Sequence, residues 1–304
     1  MIVTDAAAFA AEFSHERYPV CGPATARAAF LVSPASECLA AESAQDNRYM
    51  DLARAFDPVR ALRQHAELAR RLGSDVPLIT FPGDPQSPDG MFPNNVFATT
   101  RGQLIVGRMR HPVRQREAKR ADIRGFFNEV LGYGMTDLSE GDFVAELTGA
   151  LVIDRARAIG YCGLSDRCDL AGARAMHDAF GLRLTFAFPL APGEYHTNVV
   201  LALLAGRAAI LAPDGFAEPA TPAAIVRAYA DCAIALDGAQ KQAFAGNAIA
   251  LAPHRAWMSA AGAGALEPAQ IRLLERAGFA LGDVPLDEIE KAGGSLRCCV
   301  AEIF

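Results

Sequence analysis

Residues 57–81 read DPVRALRQHAELARRLGSDVPLITF, a helical pattern followed at once by a strand pattern. Asp57 suits an N-cap, Pro58 suits a first helical position where its missing N–H is not needed, and Gly73 stops the run. The spacing of Val59, Leu62, Ala66, Ala69 and Leu72 predicts one apolar stripe along that helix. The run VPLITF that follows is short, apolar and β-branched, as strands are.

The same unit recurs along the chain. Helices are expected from Pro112 to Gly132, over about Leu170 to Phe180 with a stop at Gly181, from a Thr221 cap with Pro222 inside, and from Pro268 to Gly278. Between them stand the β-type runs VFATT, QLIVG, ALVIDRARAIGY, LRLTFAF, VVLALLAG, RAAILAP, CAIALD and AIALAP. The interval of roughly 50 residues lies in the range that marks repeat architectures. A doubly wound sheet would carry about one strand per helix and a Gly-rich phosphate turn near its start, and neither is present. Repeated units with more strands than helices fit a closed ring of small α/β modules, because closure hides sheet edges.

Composition bounds the function. The chain has 304 residues, 51% of them apolar, which supports a sizeable core. A net charge of -6 without a basic stripe argues against nucleic acid and for a small-molecule partner. The first twenty residues carry Asp5 and Glu12 and no long apolar core, so no export signal is expected. Val199 to Pro213, the longest apolar stretch, is broken by Gly206 and Arg207 and reads as a buried hairpin, so no membrane span is expected. Seven cysteines with no CxxC argue against a disulfide framework and a structural zinc site, and place the chain in a reducing cytoplasm.

Four stretches can carry chemistry. The chain finishes on GGSLRCCVAEIF, residues 293–304, where Cys298 and Cys299 are either a presented nucleophile or two core residues of a terminal strand. The remaining cysteines, Cys21, Cys38, Cys162, Cys168 and Cys232, read as packing residues. A thiol needs a base. His15, His65, His111 and His177 read as solvated and His254 as a loop or strand end, whereas His196 in PGEYHTNVV stands at the mouth of an apolar run. In DGMFPNNVFATT, Asn94 and Asn95 lead into a strand and could equally be turn formers. In AELTGALVIDRARAIGYCGLSDR, Glu146 precedes a strand pair and Arg167 closes it.

In order, these stretches resemble the pentein superfamily of guanidino-modifying enzymes, which includes arginine deiminases, dimethylarginine hydrolases and amidinotransferases, and most of all its citrulline-utilisation hydrolases. Those carry FPNNW, LEGTGS with a later SxRT, YHTNV and GGSxRC. Here the matching residues are Phe92 to Asn95, Glu146 to Gly149, Ser165 to Arg167, Tyr195 to Asn198 and Gly293 to Cys298. The resemblance runs from about Phe30 to the last residue. It implies an α/β five-bladed propeller of ββαβ modules with pseudo-fivefold symmetry, forming one catalytic domain over residues 1–304. It makes Cys298 the nucleophile, His196 the general acid and base, and Glu146 the residue that holds His196 and a substrate nitrogen. Arg167 is expected on a substrate carboxylate, with Asn94, Asn95, Asn198 and Arg297 also binding substrate. No metal or organic cofactor is implied, and a homodimer is compatible with it. Leu147 stands in place of a family glycine, Val96 in place of a frequent Trp, and Glu37 and Ala40 in place of a Phe and an Asn. Glu140 in SEGD is the competing acid, but Glu146 has the expected 21-residue separation from Arg167.

Arginine deiminases place carboxylates where this chain has Asn95 and Asn198. A buried guanidinium without compensating charge is costly, whereas a neutral ureido group is not, and its carbonyl accepts from an amide NH2. The expectation is a thiol hydrolase that converts L-citrulline to ornithine, carbon dioxide and ammonia through a covalent cysteine intermediate. Its alternatives are an arginine deiminase or dimethylarginine-type hydrolase, and a catalytically silent propeller that binds an amino acid or a protein.

Overall fold

The structure is a computed structural model that describes residues 1–304. The first half of the chain supplies β1 (Ile2–Val3), β2 (Ala28–Val32), β3 (Leu78–Phe81), β4 (Phe97–Thr100), β5 (Gln103–Val106) and β6 (Gly134–Asp137). There follow β7 (Leu151–Asp154), β8 (Ile159–Leu164), β9 (Leu184–Pro189), β10 (Leu201–Leu204) and β11 (Ala208–Leu211). The last five are β12 (Ala233–Ala235), β13 (Ile249–Ala252), β14 (Arg255–Ser259), β15 (Ala280–Val284) and β16 (Ala301–Ile303).

These strands form five separate sheets on one plan. In one, β4 and β5 make an antiparallel hairpin with Phe97 opposite Val106, and β6 returns parallel to β5 after a helical crossover. The sets β7-β8-β9, β10-β11-β12 and β13-β14-β15 repeat this order of hairpin, helix and parallel third strand. The fifth sheet joins the two ends of the chain. There β16 pairs antiparallel with β2, Ala301 opposite Phe30, and β3 lies parallel to β2 after the Pro58–Leu72 helix. β1 adds a fourth strand beside β9. No sheet closes on itself.

Middle strands are buried on both faces by helices and neighbouring sheets, so they read as continuous apolar runs rather than alternating ones. β11, with the sequence AAIL, is buried at every position. Around it gathers the largest apolar cluster, which includes Phe186, Phe188, Val199, Leu201, Ile210 and Phe279. No helix is long and apolar enough to cross a membrane.

The Pro58–Leu72 helix has the expected bounds, and the Asp57 carboxylate accepts from the Arg60 N–H at 3.0 Å. Its buried face differs from the expected stripe: Ala61, Gln64, His65, Leu68 and Leu72 face inward, while Val59 and Leu62 are 56% and 49% exposed. Gln64 explains the rotation. Its Oε1 accepts from the Glu288 and Ile289 N–H groups at 3.0 and 3.3 Å, and its Nε2 donates to Asp287 at 2.7 Å, so a polar residue is satisfied inside.

The expected single helix from Pro112 to Gly132 is instead four short pieces, Pro112–Gln115, Glu117–Lys119, Ala121–Gly125 and Phe126–Val130. Arg120 leaves helical geometry at ψ 99°, and the break turns Arg114 and Glu117 inward, where they pair at 3.0 and 2.9 Å. The fourth helix spans Ala220–Ala228, with Pro219 rather than Thr221 at its cap.

Candidate active site

Each of the five units places polar residues in the short stretch just before the first strand of its hairpin. The Pro93–Asn95 turn precedes β4, the Leu147–Ala150 turn precedes β7, and the Thr197–Val200 turn precedes β10. Asn247 stands two residues before β13, and the Leu296–Cys299 turn precedes β16. These stretches are stitched together. Thr148 Oγ1 donates to the Asn94 carbonyl at 3.0 Å, Asn198 Nδ2 to the Thr148 carbonyl at 3.2 Å, and Asn247 Nδ2 to the Asn198 carbonyl at 2.8 Å. The Arg297 N–H then donates to Asn247 Oδ1 at 2.9 Å. A repeated fold thus brings residues 50 to 100 positions apart to one place.

At that place the imidazole of His196 meets Glu146, with Nε2 2.8 Å from Oε2. Both side chains are fully buried. Burial alone would push the Glu146 carboxyl up, but the Arg167 charge and the His196 hydrogen bond outweigh it and hold the group well below the usual carboxylate range. The same burial pulls His196 down, against the support of Glu146, and so favours its neutral form. His196 Nδ1 has no partner. Cys298 lines the same cavity as His196. Its Sγ receives the Asn247 amide at 3.3 Å and lies 3.8 Å from Asn198 Oδ1. Burial pushes the thiol up, while a backbone hydrogen bond from Ser295 and the Asn247 amide pull it back.

Gly149 makes the convergence possible. A Cβ there would stand 2.4 Å from Asn95 Oδ1 and 2.8 to 2.9 Å from the His196 ring, so only glycine lets both approach. Asn95 Oδ1 is buried and unpaired, as are both amide atoms of Asn94. Asn94 does not line the cavity that holds Cys298 and His196, whereas Asn95 does.

The two expected substrate arginines are placed differently. Arg167 directs Nε and Nη2 to Asp46 at 2.5 to 3.1 Å, Nη2 also to the Ser43 carbonyl, and Nη1 to Glu146 at 3.2 to 3.3 Å. Its donors are therefore engaged by the protein itself, although it borders the cavity. Arg297 points away from Cys298, donating to the Val300 carbonyl at 2.8 Å and to Glu302 at 3.0 Å. It lines a second, small cavity that contains neither Cys298 nor His196; Asn198, also expected on the substrate, lines this second cavity and not the first. The fork of a guanidinium fits a carbonyl and a carboxylate at once, and both lie on that side.

Sequence reasoning missed Ser43, Asp46, Asp89, Arg114 and Asn247. Asp89 is buried in the cavity with Ser43 donating to Oδ2 and with Oδ1 unpaired. Burial raises its pKa, opposed by Arg114 and Ser43. Arg114 donates to Glu117 and to the Asp89 and Phe92 carbonyls, leaving Nη1 without a partner. Among histidines expected in solvent, His65 is buried and His111 is buried 3.0 Å from Asp46, while His177 contacts the chain's amino terminus. Cys21 and Cys38, expected inside, are exposed.

The family model described as N,N dimethylarginine dimethylhydrolase, eukaryotic, matches residues 33–304. Among curated proteins none is significantly similar in sequence. Solved structures share the fold at low identity. The N-terminal domain of ArgZ, an arginine dihydrolase from the ornithine-ammonia cycle in cyanobacteria, superposes with a TM-score of 0.78 at 19% identity, over 91% of this chain and 97% of that one. AgrE, solved with ornithine and NAD+, gives 0.78 at 20% identity over 91% of this chain and 39% of that one. A dimethylarginine dimethylaminohydrolase variant with a histidine replaced by glycine, bound to S-methyl-L-thiocitrulline, gives 0.71 at 20% identity over 91% and 99%.

Proposed function

The chain belongs to the family described as N,N dimethylarginine dimethylhydrolase, eukaryotic, whose members hydrolyse guanidino carbon–nitrogen bonds, and we propose that this member acts on free arginine and carries it through citrulline to ornithine. The observation that supports this most is one buried cavity holding a thiol, an imidazole with a free Nδ1, and two unpaired acceptors, Asn95 Oδ1 and Asp89 Oδ1. Unpaired buried acceptors call for N–H donors. A guanidino or ureido group offers them, and arginine offers two more than its N,N-dimethyl derivative. That favours arginine over its N,N-dimethyl derivative. Burial raises the Asp89 carboxyl, and a cationic substrate beside it would draw it back toward its ionised form; Arg114 Nη1 is free for a carboxylate. The amide of Asn95, which lines the cavity, carries no charge and also accepts the neutral ureido stage.

In the first step the Cys298 thiol gives its proton to His196 Nδ1, the thiolate attacks the guanidinium carbon, and ammonia leaves as Nδ1 passes that proton to it. Water, activated by the same imidazole, then adds to the S-amidino carbon and expels the thiolate, giving citrulline. In the second step the thiolate attacks the ureido carbon and ornithine leaves as the protonated amine. Water releases carbamate from the S-carbamoyl enzyme, and carbamate decays to carbon dioxide and ammonia. Glu146 stays ionised, orients the imidazole and stabilises the imidazolium. A variant of ArgZ with an asparagine replaced by serine has been solved covalently bound to a reaction intermediate, which supports the covalent route.

We also read the five sheets as a closed ring in one domain over residues 1–304. In support, β16 packs on β4, the Leu147–Ala150 turn packs on β4 and β7, β7 packs on β10, β10 on β13, and β14 on the Leu296–Cys299 turn. Incubation with arginine, dimethylarginine and citrulline, with ammonia, dimethylamine, citrulline and ornithine assayed separately, tests the function. Ornithine from both arginine and citrulline is expected, and none from either with Cys298→Ser. Dimethylamine released faster than ornithine, or turnover by Cys298→Ser, refutes it.

A further inference from the structure

We infer that Asn247 is a positioning residue for the Cys298 thiol, holding the sulfur in place and supporting its ionised form with a neutral N–H donor. The inference rests on Cys298 being the nucleophile. Asn247 belongs to the stretch FAGNAIALA, residues 244–252, and is fully buried. Its Oδ1 accepts the Arg297 N–H at 2.9 Å and the Cys298 N–H at 3.4 Å. Its Nδ2 donates to the Asn198 carbonyl at 2.8 Å and to Cys298 Sγ at 3.3 Å.

The orientation of the amide is fixed by its partners. Two backbone N–H groups need an acceptor on one side and a carbonyl needs a donor on the other, so the NH2 faces the sulfur. Asn247 thus grips Cys298 twice, at the backbone and at the thiol. It is also the fifth unit's counterpart of Asn95, Glu146, Asn198 and Cys298, each set just before a hairpin. Without it that unit would add nothing to the site.

No cation donates a hydrogen bond to the sulfur in the unliganded protein. Arg297 is the nearest in sequence and its charge favours the thiolate, but less than the Asn247 amide does, and its guanidinium is bonded to Val300 and Glu302 rather than to the sulfur. Arg114 and Arg167 border the cavity but are held by Glu117 and by Asp46 and Glu146. His196 is held neutral by burial, and the remaining titratable neighbours, Asp89, Tyr195 and Cys299, oppose a second negative charge. A reactive cysteine normally draws its thiolate from a cation or a helix N-terminus. Here amide donation is what the sulfur is given.

The test is the pH dependence of Cys298 alkylation by iodoacetamide in the unliganded protein, followed by mass spectrometry, with Cys298→Ser as blank. Asn247→Asp keeps both accepting bonds to the backbone and replaces the N–H groups by oxygen, and Asn247→Ala removes the side chain. The alkylation midpoint is expected to rise by about one pKa unit in Asn247→Ala and further in Asn247→Asp, so that reaction near neutral pH falls by about tenfold or more. A folded variant with the wild-type midpoint overturns the inference, whatever its melting temperature. Failure of both variants to fold assigns Asn247 to the scaffold and overturns it as well. Turnover by Cys298→Ser would instead sink the nucleophile assignment, which the alkylation midpoint does not measure.

Discussion

Replacing Gly149 with alanine is a sharp test of the geometry, because it adds one methyl group and removes no catalytic atom. The new Cβ would lie 2.4 Å from Asn95 Oδ1, 2.8 Å from His196 Cε1 and 2.9 Å from His196 Nδ1, where ordinary contacts begin near 3.4 Å. Asn95 must therefore retreat by about 1 Å and the imidazole by about half that, in a packed interior with little room to yield. Overpacking of this kind costs about 1–3 kcal/mol of stability. Its effect on rate is larger, since a catalytic group misplaced by about 1 Å can lose about 100-fold. The ring cannot move without disturbing its 2.8 Å bond to Glu146. Steady-state kinetics on arginine with a thermal melt should show kcat/KM down by about 100-fold and a melting temperature lower by only a few degrees. Gly264→Ala is the control, because an added Cβ there meets nothing within 4 Å. Wild-type kcat/KM in Gly149→Ala would refute the claim that His196 and Asn95 converge over this glycine.

Two further outcomes follow. Burial depresses His65 to about 4 against the support of the Val32 carbonyl. Above its unfolded value of about 6.5 its contribution to stability is complete, and it is lost as pH falls toward the folded value, where the native state resists a proton the unfolded chain accepts. Up to about 3 kcal/mol is at stake, and denaturant titrations should show a shallower acid loss in His65→Leu; an unchanged slope contradicts the buried, neutral assignment. Arg297→Met should lower stability by about 1–3 kcal/mol, because Glu302 loses a partner, and should leave KM for arginine unchanged; a large rise in KM would return Arg297 to the substrate.

What the sequence made legible divides along physical lines. Helix bounds at Pro58–Leu72 and Leu170–Ala179 were readable because caps and stops are local, side chain to nearby backbone. The buried face of the first helix was not, because Gln64 faces inward only by virtue of the Glu288 and Ile289 N–H groups, more than 200 residues away. Within the site, Cys298, His196, Glu146 and Asn95 stood in recognisable motifs. Asn247 had a signal too, an asparagine just ahead of a β run as Asn95 is ahead of VFATT, but only the repeat in space gives that place a meaning. Asp46 and Asp89 lie in stretches rich in turn-forming residues, and nothing local marks them as partners of Arg167 and Ser43. Missing Asp89 had a consequence. Counting only amides around the reactive group argued for a neutral substrate, and that count left out a buried carboxyl that a cation could ionise.

The charge states of the resting site then bear on the order of events. Burial raises the Cys298 thiol and lowers His196, so both are driven toward their neutral forms when the cavity holds no substrate. A guanidinium entering that cavity brings positive charge beside the sulfur and lowers the cost of the thiolate, so the first substrate helps to make its own nucleophile. A ureido group brings none. Its attack must draw on the Asn247 amide and on proton transfer to an imidazole that only Glu146 stabilises as a cation. On the proposed route one site serves both steps, and the second, beginning from a less ionised sulfur, should be the slower of the two. On that route an amide donor that is secondary while arginine is bound becomes the main support of the thiolate once the guanidinium charge has left as ammonium.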